Sequence, residues 1–172
     1  MSSLILEGFM GSGKSTVAAR LSEKLGLPLI DTDAEIERRA GKTISAIFAE
    51  EGEEAFRDME TECLKQIRRL QEKEPGDRVI SLGGGMPVRE ENRALLKEIG
   101  TVIYLKAEPE LLIRRLEKET GSRPMLSGKD LAERVHSLLG EREEAYMEAA
   151  DVVILLEEGE DAADKIRKEL RR

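Results

Sequence analysis

The sequence has little of what would tie it to an oxidising compartment, a nucleic acid or a membrane. Its single cysteine, Cys63, excludes an internal disulfide. Basic side chains are outnumbered: the formal net charge is −8 and the sequence pI is about 5.0, which argues against an extended phosphate-backbone partner. No apolar run approaches the ~18 residues of a membrane span, and no basic leader precedes the first apolar run. We therefore expect a cytoplasmic protein that binds neither nucleic acid nor membrane.

What the chain does contain is a regular alternation of short apolar runs and helical patterns. Its 172 residues are the size of one domain, and we expect a single domain over residues 1–172. The alternation predicts an α/β fold, in which a parallel sheet carries helices on both faces. The expected strands are Leu4–Glu7, Leu27–Ile30, Val79–Leu82, Thr101–Leu105 and Val152–Leu155.

Helical periodicity, with glycine and proline as stop signals, predicts the connecting helices. Cys63 falls on an apolar helical stripe and is expected in the core, whereas His136 lies off such a stripe and is expected at the surface. The expected helices are Lys14–Leu25, Ala34–Ala40, about Ser45–Glu50, Glu53–Lys73, Glu90–Glu98, Pro109–Glu119, Leu131–Ala149 and Asp161–Leu170.

The segment from Gly8 to Thr16 fits the pattern G-x-x-x-x-G-K-S/T between a strand and a helix, which is the setting of a phosphate loop. Its glycines let backbone N–H groups turn toward the oxygens of a nucleotide, and the dipole of the following helix favours the same anion. Lys14 is expected to reach the β- and γ-phosphates, and the Ser15 hydroxyl to bind Mg²⁺. A glycine-rich turn without a ligand is the alternative.

A second unusual segment, residues 120–129, contains two glycines, a proline and Arg123 between two helices. A kinase must keep water from the γ-phosphate while its substrates are bound, and a closing loop that brings a cation does so. We interpret the segment as a mobile lid whose Arg123 delivers charge to the transferred phosphoryl group. An ordinary surface turn is the alternative.

The second predicted strand ends in Asp31-Thr32-Asp33, at the sheet edge where α/β proteins bind ligands. On an extended chain both carboxylates would point to one side, so that one could hold magnesium through water while the other accepts a hydrogen bond from a substrate hydroxyl. Alternatively, Asp33 only caps the helix that follows it.

Three further features could contact an acceptor. Arg142 lies on an apolar helical stripe without an obvious acidic partner on the same face, and a bound carboxylate would satisfy it. Arg57 precedes Glu60 by one helical turn, and the two alone would be a surface salt bridge. The glycine triplet Gly83–Gly85 follows a strand, where it could admit a ligand to the backbone or simply turn the chain.

Together these motifs resemble the shikimate kinase family. The matching segments, which span about Leu4 to Leu155 in order, are G-x-x-G-x-G-K-S-T at Gly8–Thr16, D-T-D at Asp31–Asp33, F-R-x-x-E at Phe56–Glu60, G-G-G at Gly83–Gly85, R-P-M-L at Arg123–Leu126 and R-x-x-x-Y at Arg142–Tyr146.

The resemblance implies a P-loop NTPase-type, three-layer α/β/α fold with a five-stranded parallel sheet, a lid at about 120–129 and acceptor-binding helices at about 34–73. It implies transfer of the γ-phosphoryl group of MgATP to the 3-hydroxyl of shikimate, in aromatic amino acid biosynthesis. Separately, we expect the protein to be a monomer. Lys14, Asp33 and Arg123 would be catalytic, and Asp31 would assist the magnesium bound at Ser15. Shikimate would bind Asp33, Arg57, Gly84 and Arg142, and the nucleotide would bind Gly11, Ser12, Gly13, Lys14, Ser15, Thr16 and Arg123.

Base recognition is the part of the resemblance that the residues specify least. Either Arg114 or Arg115 could stack on adenine, and the stretch Glu157–Glu160 offers no apolar or proline platform for its other face.

Other functions compete with this interpretation. A gluconate kinase shares the fold, and the two arginines favour a carboxylated acceptor without specifying its sugar or ring. A nucleoside monophosphate kinase would carry a D-G-x-P-R lid and a GTPase an N-K-x-D motif, and neither is present. A nucleotide-binding regulatory protein without catalysis would have no need of Lys14, Ser15, Asp33 and Arg123 together.

Overall fold

A computed structural model describes residues 2–119 and 130–171 of the chain. Within them, five parallel strands form one sheet in the order β2-β3-β1-β4-β5. This arrangement confirms the predicted α/β class and the five-stranded parallel sheet. The strands are β1 (Ser3–Glu7), β2 (Leu29–Asp31), β3 (Val79–Ser81), β4 (Gly100–Lys106) and β5 (Val152–Leu155).

Helices cover both faces of this sheet because successive strand residues point to opposite sides. The helices are α1 (Lys14–Leu25), α2 (Thr32–Ala40), α3 (Ile44–Glu51), α4 (Glu53–Lys73), α5 (Glu90–Ile99), α6 (Pro109–Glu117), α7 (Leu131–Ala149) and α8 (Ala162–Leu170). Leu4 and Leu6 pack with apolar side chains of α1 and α8, whereas Ile5 packs with those of α4 and α5, so that two cores form a three-layer structure.

Three of the predicted helices, now α1, α4 and α7, have the predicted bounds, and most other ends differ by one or two residues. One prediction near the ligand-binding edge was wrong, since helix α2 begins at Thr32 rather than Ala34. A 3₁₀ turn, Met86–Val88, follows the glycine triplet and had not been predicted. The predicted interior position of Cys63 and surface position of His136 are confirmed.

The topology brings the loops after β1, β2 and β3 to one edge of the sheet. Strand β1 lies between β3 and β4, and β3 lies between β1 and β2, so the three carboxyl ends are neighbours. A cleft of about 990 Å³ opens there. None of the helices within residues 2–119 and 130–171 combines the length and apolar character needed to cross a lipid bilayer.

Candidate active site

The loop after β1 has the conformation that its glycines permit. Gly11 and Gly13 both have φ of +82°, which a residue with a Cβ rarely adopts, and Gly13 directly precedes α1. The Lys14 ammonium donates hydrogen bonds to the carbonyl oxygens of Gly8 at 2.7 Å and Phe9 at 3.2 Å. The lysine therefore lies across the mouth of its own loop, where an anion bound by the loop would meet it.

Ser15 and Asp31 meet beside this loop. The Ser15 hydroxyl donates to Oδ2 of Asp31 at 3.3 Å, and Oδ1 of Asp31 accepts from the backbone N–H of Ala34 at 3.1 Å. Asp31, not Asp33, is therefore the N-cap of α2, which corrects the capping alternative of the sequence analysis. The assumption that both aspartates lie on extended chain was also wrong, since Asp33 belongs to the first turn of α2.

Asp33 is directed instead toward the glycine triplet after β3. A Cβ added to Gly83 would lie 2.6 Å from Oδ1 of Asp33, so the aspartate occupies the space that a side chain would need. The loop ends of β2 and β3 are tied together because the N–H of Gly83 donates to Oγ1 of Thr32 at 3.0 Å. The adjacent Asp33 is thereby held at the boundary between the phosphate loop and the triplet.

Arg57 and Glu60 of α4 form a partly buried pair, in which only the arginine reaches solvent, rather than the surface salt bridge that helical spacing alone suggested. Nη1 of Arg57 lies 2.6 Å from Oε1 of Glu60, whose side chain is fully buried. The pKa of Glu60 is raised from 4.5 to about 7, chiefly by burial and also by the negative charge of Asp33, against the opposing positive charges of Arg57 and Arg142. The arginine guanidinium packs on Gly85, where an added Cβ would lie 2.6 Å from its Cζ.

Arg142 reaches the same place from α7. It is only 4% exposed, as its apolar stripe predicted, and its guanidinium carbon lies 6.0 Å from the centre of the Phe9 ring. A Cβ on Gly84 would lie 3.5 Å from Nη1 of Arg142. The Tyr146 hydroxyl donates to the carbonyl oxygen of Gly84, and burial raises the pKa of Tyr146 to about 12, so this donor keeps its proton.

Side chains from three helices thus pack against the glycine triplet. Asp33, Arg57 and Arg142 each lie against a different glycine of Gly83–Gly85. Glu60 and Tyr146 belong to this arrangement too, although neither was predicted to be a site residue. Their places in F-R-x-x-E and R-x-x-x-Y were the available signal. The part of the cleft next to the triplet, which is the expected acceptor side, is lined by Asp33, Phe48, Phe56, Arg57, Glu60, Gly83, Gly84, Gly85 and Arg142.

The nucleotide side of the cleft distinguishes the two candidate arginines. Nη1 of Arg115 donates to the carbonyl oxygens of Gly11 and Ser12, each at 3.2 Å, so Arg115 lies against the phosphate loop. Arg114 points away, is largely exposed and pairs with Glu158 at 3.1 Å. Leu155, 44% exposed at the end of β5, supplies an apolar surface in the cleft that was not predicted from the sequence.

Arg123 and the predicted lid lie outside the described residues.

A phosphate loop beside two converging arginines and an aspartate, at the carboxyl edge of a parallel sheet, defines a P-loop kinase for a small acceptor. The family model for shikimate kinase matches residues 10–171. The chain belongs to the shikimate kinase family.

Individual relatives agree with this assignment. The shikimate kinase of Paracidovorax citrulli is 43% identical over 161 residues, covering 94% of this chain and 86% of that enzyme. The shikimate kinase of Pelotomaculum thermopropionicum is 47% identical over 146 residues, covering 85% and 81%. A solved shikimate kinase from Acinetobacter baumannii in complex with shikimate is 36% identical, with a TM-score of 0.89 and coverage of 99% of this chain and 92% of that one.

Proposed function

We propose that this chain transfers the γ-phosphoryl group of ATP to the 3-hydroxyl of shikimate, giving shikimate 3-phosphate and ADP. The observation that carries the proposal is the convergence of Arg57, Arg142 and Asp33 on the glycine triplet, beside the phosphate loop. Two guanidinium groups suit a carboxylate, and the aspartate suits a neighbouring hydroxyl. The related enzyme from Acinetobacter baumannii binds shikimate.

On the nucleotide side, the backbone of Gly11–Thr16 and the ammonium of Lys14 hold the phosphates. Lys14 leaves the carbonyl oxygens of Gly8 and Phe9 and turns to the β- and γ-phosphates when ATP enters. Arg115 is the arginine that contacts the base, because it lines the cleft and Arg114 does not. Arg123, which lies outside the described residues, is proposed to add positive charge to the transferred phosphoryl group.

The residues present also fit Mg²⁺. A hydroxyl and a carboxylate, those of Ser15 and Asp31, lie 3.3 Å apart beside the phosphate loop, and oxygen ligands of this kind suit a hard cation that retains waters. When bound, Mg²⁺ would neutralise charge on the phosphate oxygens. Ser15 would contact the ion directly, and Asp31 would hold one of its waters.

Asp33 is proposed to orient the attacking hydroxyl and to accept its proton late in the reaction. In a loose phosphoryl-transfer transition state, alignment and charge stabilisation contribute more than basicity, so orienting the hydroxyl is the larger part of this role. Asp33 occupies the right place for this role, between the phosphate loop and the triplet against which Arg57 and Arg142 lie. Glu60, buried beside Arg57, keeps that arginine in place.

The closest functional competitor is a gluconate kinase. A gluconokinase from Sinorhizobium meliloti aligns with 99% of this chain at a TM-score of 0.57, but at 19% identity that likeness concerns the fold alone. A regulatory protein that binds ATP without catalysis is the second competitor. We also propose that the protein is a cytoplasmic monomer without nucleic-acid or membrane partners, in keeping with its net charge of −8.

The test is ADP release from the purified protein with MgATP, measured with shikimate, gluconate or AMP and without an acceptor. We expect release only with shikimate, and identification of the product by mass spectrometry as a monophosphate. ADP release with gluconate alone would show that the protein is a gluconate kinase. ATP binding without acceptor-dependent ADP release would indicate a regulatory protein. Light scattering of the same sample checks the monomer.

A further inference from the structure

A pair of buried polar side chains, which we call the Asn92–Thr61 bridge, lies behind the acceptor side of the cleft. Asn92 in α5 is fully buried, and Thr61 in α4 is 5% exposed. The Thr61 hydroxyl lies 2.8 Å from Oδ1 of Asn92, to which it donates. Neither residue lines the cleft, and both hydrogen-bonding groups are removed from solvent, where an unmade hydrogen bond costs more than a made one contributes.

On one side the bridge holds the loop that contains the glycine triplet. Nδ2 of Asn92 donates to the carbonyl oxygen of Met86 at 2.9 Å, and Met86 directly follows Gly85. The 3₁₀ turn at Met86–Val88 is closed on the triplet by hydrogen bonds from Met86 N to Gly83 O and from Val88 N to Gly85 O, both 3.2 Å. Asn92 therefore fixes the backbone at the point where the triplet ends.

On the other side the bridge holds helix α4. The Thr61 hydroxyl also lies 3.2 Å from the carbonyl oxygen of Arg57, one turn earlier, and it accepts from Nη1 of Arg89 at 3.3 Å. Arg57 and Glu60, the two charged residues that α4 contributes to the acceptor side, lie within this turn. The bridge thus joins the turn that carries Arg57 to the loop on which Arg57 rests.

The position of the Arg57 guanidinium depends on how the Asn92–Thr61 bridge places the loop relative to α4. Its guanidinium packs so closely on Gly85 that even an added Cβ would lie 2.6 Å from Cζ. A small shift of the loop relative to α4 would move either the guanidinium or the backbone beneath it. Close packing of this kind converts a local displacement into a change of side-chain direction rather than absorbing it.

We propose that Asn92 and Thr61 are positioning residues that set the direction of Arg57 toward the carboxylate of the acceptor. The inference rests on the proposed function, because it assigns the acceptor subsite to shikimate. It extends the site to a second layer of residues in α4 and α5 that do not touch either substrate. Among the described residues, neither Asn92 nor Thr61 has a hydrogen bond to the phosphate loop, so we expect the bridge to act more on acceptor binding than on nucleotide binding.

The test compares Thr61→Val with Thr61→Ser. The valine variant preserves shape and removes the hydroxyl, whereas the serine variant keeps the hydroxyl. We expect Thr61→Val to raise KM for shikimate about tenfold, because sub-ångström misplacement of a binding group costs roughly this much, with KM for ATP little changed. Thr61→Ser should stay near the wild type. Calorimetric titration of shikimate without nucleotide should show the same loss, which separates binding from catalysis.

A matched control is Ser3→Ala at the opposite end of the sheet. Ser3 is 2% exposed, and its hydroxyl accepts hydrogen bonds from Gln71 at 2.7 Å and from the backbone N–H of Arg78 at 3.1 Å. Its loss should lower Tm without changing KM for shikimate. The positioning role is overturned if Thr61→Val behaves like Ser3→Ala, or if KM rises equally for ATP and shikimate. A wild-type protein that neither binds nor phosphorylates shikimate would instead overturn the proposed function itself.

Discussion

Replacing Glu7 by glutamine should stabilise the protein, and increasingly so as pH rises. Glu7 ends β1 beneath the phosphate loop, is fully buried, and has no hydrogen bond to either carboxyl oxygen from the described residues. Its pKa is raised from 4.5 to about 9, chiefly by burial and also by the negative charge of Asp151, while the positive charge of Lys14 opposes the rise. The folded protein therefore keeps this carboxyl protonated at neutral pH.

The sign and size of the effect follow from that difference in pKa. Below pH 4.5 both the folded and unfolded chains carry the proton, and Glu7 contributes no pH dependence. Between pH 4.5 and about 9 only the unfolded chain ionises, so stability falls as pH rises. Each pH unit above 4.5 lowers the free energy of unfolding by about 1.4 kcal/mol, so that at pH 7 the buried carboxyl has cost the folded protein about 3 kcal/mol.

The assay is urea unfolding of the wild type and Glu7→Gln, followed by circular dichroism at several pH values from 5 to 8. Glutamine resembles the protonated acid but cannot ionise, so the gain in unfolding free energy should grow by about 1.4 kcal/mol for each pH unit. At pH 7 Tm should rise by roughly 6–12 °C. An exposed carboxylate, Glu72, provides the control variant Glu72→Gln, for which no such gain is expected. A pH-independent difference would show that Glu7 is ionised or hydrated in the folded protein, and the reasoning would fail.

Three further outcomes are expected at the cleft. Lys14→Met should lower kcat on the order of 100-fold with the fold intact, since it removes one charge contact to the phosphates; steady-state kinetics and circular dichroism check both parts. Arg142→Ala should raise KM for shikimate roughly 100-fold and leave KM for ATP alone, because a charge-assisted bond to the carboxylate is lost; an equal change for both substrates would contradict this. Gly85→Ala should displace Arg57, since the new Cβ would lie 2.6 Å from its Cζ, and shikimate affinity measured by calorimetry should fall whereas Tm changes less.

The features that the sequence predicted well are those specified by neighbours along the chain. The phosphate loop is a contiguous pattern, and its glycines adopt the left-handed backbone that the pattern requires. Helix α4 has the predicted bounds because Gly52 precedes it and an apolar stripe runs along it. The order of motifs also sufficed to indicate the family that the matching model later established.

The features that the sequence predicted poorly depend on contacts between distant segments. Alternation suggested that Asp31 and Asp33 share an extended chain, but the side chain of Asp31 caps a helix and places Asp33 inside its first turn. Helical spacing gave the pairing of Arg57 with Glu60 correctly but not its burial, since burial is imposed by the loop after β3. No local pattern encodes that loop's position.

The glycine triplet shows why such a site is hard to derive from motifs one at a time. The sequence suggested that Gly83–Gly85 admits a ligand to the backbone or turns the chain. In the structure, side chains from other helices occupy the space of a Cβ at Gly83 and Gly85, whereas a Cβ at Gly84 would lie in ordinary contact, 3.5 Å from Nη1 of Arg142. Asp33 and Arg57 can take up their positions because Gly83 and Gly85 lack a side chain. A substitution at Gly83 should therefore act through Asp33, the carboxylate proposed to orient the acceptor hydroxyl, and one at Gly85 through Arg57, whereas Gly84→Ala should disturb Arg142 less.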